Sequence, residues 1–379
     1  MSLSLPAGPA AARSLTGVVP QILASTSGAP DWFPEARSGI LVLVDGLGRG
    51  NLSARAGHAR FLAAHMGKKD AARTVFPSTT ATALTGLLTG ADAGRHGIVG
   101  YRARVPGTLT APNQLRGWET DGLDPLTWQR STPILEREAA AGRPVFWVSK
   151  KQYEDSGFTR AIGRGATAVS GESPEERLDA AAALAARNPG ALVYVYVPEL
   201  DTIGHARGWE GDEWTVGLER LDGALAALDR AADPGTGIVV TADHGMVDVP
   251  RHRHVLLSAE DALLDGVALV AGEPRLLQLY TEHGAAAAVA ERWRASEQSR
   301  SWVLTRDEAI AAGLYGPVVD AEVAPRIGDV LVAARGAVAY YDDRLDDKKA
   351  QSMIGQHGSL TDLERIVPLI GLGAFARGR

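Results

Sequence analysis

Three apolar runs, each closed by an acid, constrain the fold of this chain more than any other feature. They are GILVLVDG at 39–46, ALVYVYVPELD at 191–201 and TGIVVTADHG at 236–245. A short run of Ile, Leu and Val bounded by glycine reads as a strand buried on both faces. Strands of that kind belong to parallel sheets covered by helices, and the ligands of such sheets gather outside the carboxyl ends. Asp45, Asp201 and Asp243 therefore fall on one expected edge. RPVFWVSKK (143–151) reads as a further strand, and AARTVFPSTTATALTGLLTG (71–90) starts strand-like and turns helical. SPEERLDAAAALAARN (173–188) has the pattern of a helix, with Ser173, Glu175 and Glu176 suited to its N-terminus, and EWTVGLERLDGALAALDRAA (213–232) is amphipathic. Strands alternating with helices predict an α/β fold with a doubly wound, mostly parallel sheet flanked by helices.

Two regions depart from that alternation. Residues 1–35, rich in Pro, Ala and Ser, are expected to wrap the surface or form one short helix, leaving 36–379 as the main domain. From about 251 to 350, PRLLQLY and DVLVAARGAVAYY read as strands of a mixed or antiparallel region, with an Ala-rich helix at 284–296 between them. That stretch is expected to form a smaller α+β subdomain. The N-terminal MSLSLPAGPAAARSLTGVVPQ has no charged start followed by a long apolar core, so no signal peptide or membrane span is read and the cytoplasm is the expected address. A net charge of −6 without a basic arm or stripe argues against nucleic acid as a scaffold partner and leaves a nucleotide open as a small substrate. The absence of cysteine excludes disulfides, thiolate metal sites and cysteine catalysis. No oligomeric state is legible.

The strand ends carry more than acids. Asp201 is followed by His205, Asp243 by His244, and a fourth place, GQHGSLT, offers His357 between glycines. Alone, Asp45 could simply cap the next helix, and a single Asp-His pair after a strand is more often structural than metal-bound. Four such places, three of them on one edge, point to a metal centre. Mixed Asp and His ligands without Cys suit zinc or manganese, and Asp201 and His205, four apart, share one face of a helical turn. FPSTTATALTGLLTGADAGRHGIVGY (76–101) adds three hydroxyls, Ser78, Thr79 and Thr80, ahead of a small-residue helix. The N–H groups and dipole at such a helix start attract phosphate, and a metal lowers the pKa of a hydroxyl held there. An N-cap threonine is the simpler role, and both can hold at once.

The motifs LVLVDGLG, PSTTATALTGLLTG with HGIVGY, PELDTIGHARG, TADHGM and GQHGS stand in the order found in the alkaline phosphatase superfamily. The chain most resembles the nucleotide pyrophosphatase/phosphodiesterase branch, with phosphonoacetate hydrolase as a relative, and the matches run from residue 39 to 359. DHGM alone is moderately specific; the ordered set is strong. The resemblance implies an alkaline-phosphatase-like domain holding two divalent ions, zinc first and manganese second. One ion falls to Asp45, Asp243 and His244 and touches the nucleophile; the other falls to Asp201, His205 and His357. The family's threonine stands ten residues before the glycine of a TG pair and sixteen before the His of HG. Carried over, both counts land on Thr80, with Thr79 next in line and Ser78 after it.

The implied reaction is hydrolysis of a small phosphate ester or nucleotide through a phospho-threonine, of phosphodiesterase or nucleotide pyrophosphatase type. The alternatives are a phosphomonoesterase or phosphonate hydrolase of the same superfamily, or a metal-binding homologue without the chemistry. The presence of all six ligand candidates and the hydroxyl argues against lost chemistry. One position departs from the pattern: where the branch has an asparagine on a phosphoryl oxygen, this chain has Tyr101, which could donate through a longer reach or simply pack. Lys150 and Lys151 could meet a second anionic group of the substrate, as lysines of a nearby loop do in phosphonoacetate hydrolase, or be solvated. His96 resembles a structural histidine of the family. His252 and His254, in RHRH, read as a charged surface loop before a third metal site. Trp118, Trp128, Trp209 and Trp214 could stack a nucleobase, with Trp209 best placed, although packing is the commoner role.

Overall fold

The three apolar runs form the strands Ser38–Val44, Leu192–Val197 and Thr236–Thr241, which lie side by side and parallel in the computed structural model. The structure describes residues 5–6 and 12–376. Ile40, Leu41, Val42, Leu43 and Val44 are each at most 1% exposed. Burying such a side chain is worth about 1.5–3 kcal/mol, so this one strand anchors much of the core. Val42 stands level with Val195 on one side and Val240 on the other. That register ends the three strands together and brings Asp45, the Pro198–Asp201 turn and Asp243 to one edge.

The full sheet has eight strands among the described residues. Their order is Arg13–Ser14, Ala71–Arg73, Ile366–Gly373, Thr236–Thr241, Ser38–Val44, Leu192–Val197, Val145–Ser149 and Thr167–Ser170. All neighbours are parallel except at Ile366–Gly373, which runs against both of its partners. Helices flank it. Pro174–Arg187 starts with the expected Ser173, whose hydroxyl and the Glu176 side chain form a capping box. Asp212–Ala231 packs against that helix with Trp214, Leu218, Leu221, Leu225 and Leu228 buried. Among the described residues no helix is long and apolar enough to cross a membrane.

The N-terminal segment is more deeply built in than a surface wrap. The expected short helix is Val18–Thr26, and Val18, Val19 and Ile22 are buried in the main core. Ile22 packs so closely on the central strand that a side chain at Gly39 would meet its Cγ2 at 2.5 Å. The apolar spacing at 18, 19 and 22 is a helical face, and the neighbouring prolines and serines masked it.

Residues 254–342 form the expected smaller region. Its centre is an antiparallel sheet ordered Val267–Glu273, Leu276–Thr281, Val330–Ala334 and Ser301–Thr305. The Ala-rich helix spans Ala286–Glu297 and buries Val289, Ala290 and Trp293. DVLVAARGAVAYY is two strands rather than one. Val330–Ala334 stays in this sheet, while Ala339–Asp342 pairs in parallel with His254–Leu257. The buried Arg275 holds the break, donating from Nη1 to the Val338 carbonyl at 2.9 Å. Its guanidinium also makes a two-pronged pair with buried Glu364, at 2.9 and 2.7 Å. Glu364 in turn accepts the Ser359 N–H at 3.0 Å, and its carbonyl accepts the Gly245 N–H. The small region thus braces the loops that carry His357 and His244.

Candidate active site

Four segments bring the predicted acids and histidines together. Asp45 follows its strand directly, and its N–H donates to the Val197 carbonyl of the neighbouring strand at 2.9 Å. Asp201 and His205 lie on the short helix Glu199–Arg207, with Oδ1 and Nε2 3.3 Å apart. Asp243 and His244 follow Thr241, and His244 Nε2 lies 3.3 Å from Asp243 Oδ2 and 3.4 Å from Asp45 Oδ1. His357 Nε2 stands 3.9 Å from Asp201 Oδ1, and its ring stacks on His244 with centroids 3.5 Å apart. Such convergence needs close backbones. A Cβ at Gly245 would lie 2.7 Å from the Gly48 Cα and 2.1 Å from the Leu363 carbonyl oxygen.

The donor atoms are prepared for metal. Each histidine has its Nδ1 against a backbone carbonyl: His205 on Gly355 at 2.7 Å, His244 on Gly245 at 3.1 Å and His357 on Ser78 at 3.0 Å. A carbonyl only accepts, so each Nδ1 carries the proton and each Nε2 turns a lone pair inward. Asp45 Oδ2 accepts the Tyr196 hydroxyl, and Asp243 Oδ1 accepts the N–H groups of Gly46 and His244. The inward oxygens, Asp45 Oδ1, Asp243 Oδ2 and Asp201 Oδ1, are buried without a hydrogen-bond partner. Burial, then the carboxylates of Asp243 and Asp201, pushes the Asp45 carboxyl well above its ordinary range; burial also raises Asp243. Burial, followed by His244 and His205, holds His357 far below the usual imidazole value, in the neutral form a metal needs. Orphaned buried oxygens facing inward lone pairs fit divalent cations.

Two groups could hold an ion. Ligand atoms of Asp45, Asp243 and His244 lie within 4.8 Å of one another, as do those of Asp201, His244 and His357. The first matches the trio expected from sequence. In the second, His244 takes part beside the expected Asp201 and His357; His205 is not in that group, although its Nε2 lies 3.3 Å from the same Asp201 Oδ1 and its ring 5.2 Å from that of His357. His252 and His254 belong to neither group.

Thr80 is the hydroxyl that reaches this centre. It opens the helix Thr80–Thr89, and its Oγ1 lies 3.1 Å from His244 Nε2. All ten residues of that helix are buried, which their small side chains permit. Thr79 is the extended N-cap and makes no side-chain capping bond. Ser78 is used otherwise, donating to the Ser359 carbonyl at 2.8 Å. Thr80, Asp45 and Asp201 line a cavity of about 540 Å³ whose wall includes five aromatic side chains: Trp118, Trp147, Tyr153, Phe158 and Tyr196.

The other candidates fall elsewhere. Lys150 lies outside the cavity lining and pairs with Glu199 at 3.0 Å, an acid whose two oxygens also accept from Nη2 of buried Arg177. Lys151 pairs with Glu154 and lines an adjoining open groove, which shares Glu119, Gln152 and Ser156 with the cavity. Tyr101 is not on the lining; its N–H donates to Glu273 at 2.9 Å. Trp209, the tryptophan best placed by spacing, packs edge-on against Trp214; of the four candidate tryptophans Trp118 lines the cavity, beside Trp147. His96 is fully buried and accepts the Ile98 N–H through Nδ1, a structural role.

Sequence reasoning missed Tyr196 and Glu273. Tyr196 lies on the strand before Asp201, and pairs with Leu43 in register, two residues short of Asp45. Its hydroxyl fixes which Asp45 oxygen faces inward. Tyr196→Phe should cost about 10–100-fold in metal affinity or activity, the range for losing such an orienting bond, as metal titration with parallel rates would read. Glu273 ends a strand of the small region, buried, with Oε2 on the Tyr101 N–H and Oε1 unpartnered. Burial pushes its carboxyl up to about 8 from an ordinary 4.5. A group raised on folding stabilises fully below its unfolded value and loses that contribution as pH rises through the folded one. The thermal midpoint should therefore fall as pH rises from about 4.5 to about 8, and Glu273→Gln should flatten that fall.

Comparison with known proteins places this arrangement. The type I phosphodiesterase / nucleotide pyrophosphatase family model matches residues 39–360. Phosphopentomutase of Methylobacterium sp. (strain 4-46) is 40% identical over 114 residues, 30% of this chain and 26% of that protein. An uncharacterized pyrophosphatase/phosphodiesterase of Schizosaccharomyces pombe is 24% identical over 191 residues, 48% of this chain and 39% of that one. The chain thus aligns with well under half the length of these curated relatives. Phosphonoacetate hydrolase from Sinorhizobium meliloti 1021, in complex with phosphonoacetate, superposes with a TM-score of 0.69 at 22% identity, covering 89% of this chain and 91% of that one. Human ectonucleotide pyrophosphatase / phosphodiesterase 5 gives 0.67 at 19%, covering 88% and 87%. At these identities the likeness is one of fold.

Proposed function

Because the chain belongs to the type I phosphodiesterase / nucleotide pyrophosphatase family, we propose that it hydrolyses a phosphodiester or nucleotide pyrophosphate bond through a phospho-threonine at Thr80. The observation that carries this reading is the position of Thr80 Oγ1, beside His244 and on the wall of an aromatic cavity. Asp45, Asp243 and His244 would hold one divalent ion, zinc or manganese, and Asp201, His205 and His357 a second. Bound ions supply positive charge that lowers the pKa of a nearby hydroxyl and offsets charge on phosphoryl oxygens.

The chain's own groups do the rest. Thr80 Oγ attacks phosphorus as the bond to the leaving oxygen breaks, and water later cleaves the Thr80–phosphorus bond to restore the hydroxyl. The first N–H groups of the Thr80–Thr89 helix have no partner within the helix and favour a phosphoryl oxygen there. The aromatic wall seats the organic substituent and excludes water. A volume of about 540 Å³ lies within the range of small-molecule sites, roughly 300–1,000 Å³. That size supports an ester with a sizeable substituent over a bare monoester or small phosphonate, which would leave much of the wall uncovered. A substrate long enough to enter the adjoining groove would meet Lys151.

The test is a rate comparison, with and without chelator, on a bis-nitrophenyl phosphodiester, a nitrophenyl ester of a nucleotide, a nitrophenyl phosphomonoester and phosphonoacetate. A chelator-sensitive preference for the two diesters is expected. A preference for the monoester or phosphonoacetate would overturn the substrate class while keeping Thr80 and its ligands. No turnover with metal bound would overturn the diesterase reading as a whole.

A further inference from the structure

A second cavity, of about 340 Å³, opens at the far edge of the sheet, where Ala71–Arg73 runs between Arg13–Ser14 and the start of Ile366–Gly373. It shares no lining residue with the first. Arg73 and Arg365 both line it. Arg73 ends its strand opposite Ile366, and Arg365 closes the short helix Asp362–Arg365 just before Ile366, so both lie at the same end of this strand pair. The Arg365 carbonyl accepts the Thr74 N–H at 2.9 Å, fixing that alignment.

Among the described residues neither guanidinium has a carboxylate within 4 Å, although ion pairs occupy many arginines elsewhere in the chain. Arg365 makes one long contact, from Nη2 to the Thr74 carbonyl at 3.4 Å, and its Nε is buried without a partner. Two buried hydroxyls of the same lining, Thr74 Oγ1 and Tyr315 OH, are also unpartnered. Burial, then the charge of Arg73, brings Arg365 down to about 10. Two crowded like charges beside unsatisfied polar groups destabilise the fold unless something compensates them. Asp92 is the acid on this lining, and Asp362 and Glu364, off the lining, offset part of the charge at Arg365.

We propose that this cavity is a second anion site, which binds a phosphate dianion, free or as the phosphate of a monoester, between Arg73 and Arg365. Two planar guanidinium forks match a tetrahedral oxyanion better than a single carboxylate or halide, because each can donate to two oxygens. The cavity volume leaves room beyond the phosphate for part of an organic group. The site stands on these residues alone and does not depend on the reaction proposed at Thr80.

The test is calorimetric titration of the full chain with inorganic phosphate and with a nucleoside monophosphate, in buffers of matched chloride, before and after chelation. Chelation matters because uncompensated Asp45, Asp201 and Asp243 repel phosphate, which silences the catalytic centre. One phosphate site should persist in chelator. Arg73→Gln and Arg365→Gln should each weaken it at least tenfold, and Arg73→Lys, which keeps the charge and loses the fork, should weaken it less than Arg73→Gln. Tighter binding of the monophosphate marks a monoester as the ligand, and equal or weaker binding marks free phosphate; either result keeps the site. Absence of any phosphate site in chelator would overturn the proposal. So would a dissociation constant within twofold of wild type in Arg73→Gln, a variant of a half-buried strand-end residue that decides the matter even if Arg365→Gln does not fold.

Discussion

Thr80→Val should lower turnover of every substrate roughly 10⁴-fold or more, the scale on which removing a covalent nucleophile acts. Valine keeps the volume and branching of threonine, and Thr80 occupies the first turn of a fully buried helix, so the fold and the six candidate ligands should survive. Metal content per chain should match wild type, which separates a chemical loss from a collapsed site. Acid-quenched reactions with labelled substrate should trap phosphate on wild type and none on the variant. The neighbouring hydroxyls serve as controls. Thr79→Val should keep most of the rate, since Thr79 contributes an extended N-cap backbone and no capping bond. Ser78→Ala gives up its bond to the Ser359 carbonyl, at about 0.5–1.5 kcal/mol of stability. If Thr79→Val lost the labelled intermediate and Thr80→Val kept it, the nucleophile would be the other threonine.

Asp45→Asn should change sign with metal. In the loaded protein it removes a charged ligand, and activity should fall by more than the about 10–100-fold typical of an outer-shell loss, with lower metal content. In chelator the same substitution should raise the thermal midpoint. Burial and the carboxylates of Asp243 and Asp201 push the Asp45 carboxyl well above its ordinary 3.8, so an uncompensated charge there opposes folding. The pH dependence follows from that direction. The chelated wild type is most stable below the unfolded Asp value and loses stability as pH rises through the raised one; asparagine should flatten that decline. With metal the slope reverses, because ligands must be deprotonated and affinity falls on acidification. Denaturation scans at several pH values, with and without chelator, read both halves. A loss of stability in chelator would mean that Asp45 is held by the fold and not by a cation.

The central sheet and the convergence of the strand-end acids were legible because both rest on local pattern. A strand buried on both faces must be apolar throughout, and an acid at its end then stands out; Asp45 and Asp243 are of this kind. Thr80 was reached through the resemblance, and three adjacent hydroxyls could not be told apart by type. What separated them was tertiary: Ser359 takes Ser78, and His244 meets Thr80. Lys150 looked available because Glu199 lies 49 residues away, on another strand's edge, with Arg177. Trp209 looked well placed by its distance from His205, yet the helix ends at Arg207 and the chain turns the ring onto Trp214. Tyr196 carries no signal of its own, since it reads as one more apolar position in a strand. Only the register, which sets it beside the strand of Asp45, gives its hydroxyl a partner.

The antiparallel strand Ile366–Gly373 sits in the interior of the sheet, between Ala71–Arg73 and Thr236–Thr241. It is the last strand of this sheet in chain order. Until it emerges, the growing chain holds two open inner edges, and Glu364, which braces the loops of Gly245 and Ser359, is not yet anchored by the strand that follows it. Neither half of the sheet can close early, so assembly of the candidate site waits for this strand. Unpaired edges of that kind invite pairing with other chains. A stop codon just before Ile366 would therefore yield aggregate, despite sparing Thr80 and all six candidate ligands.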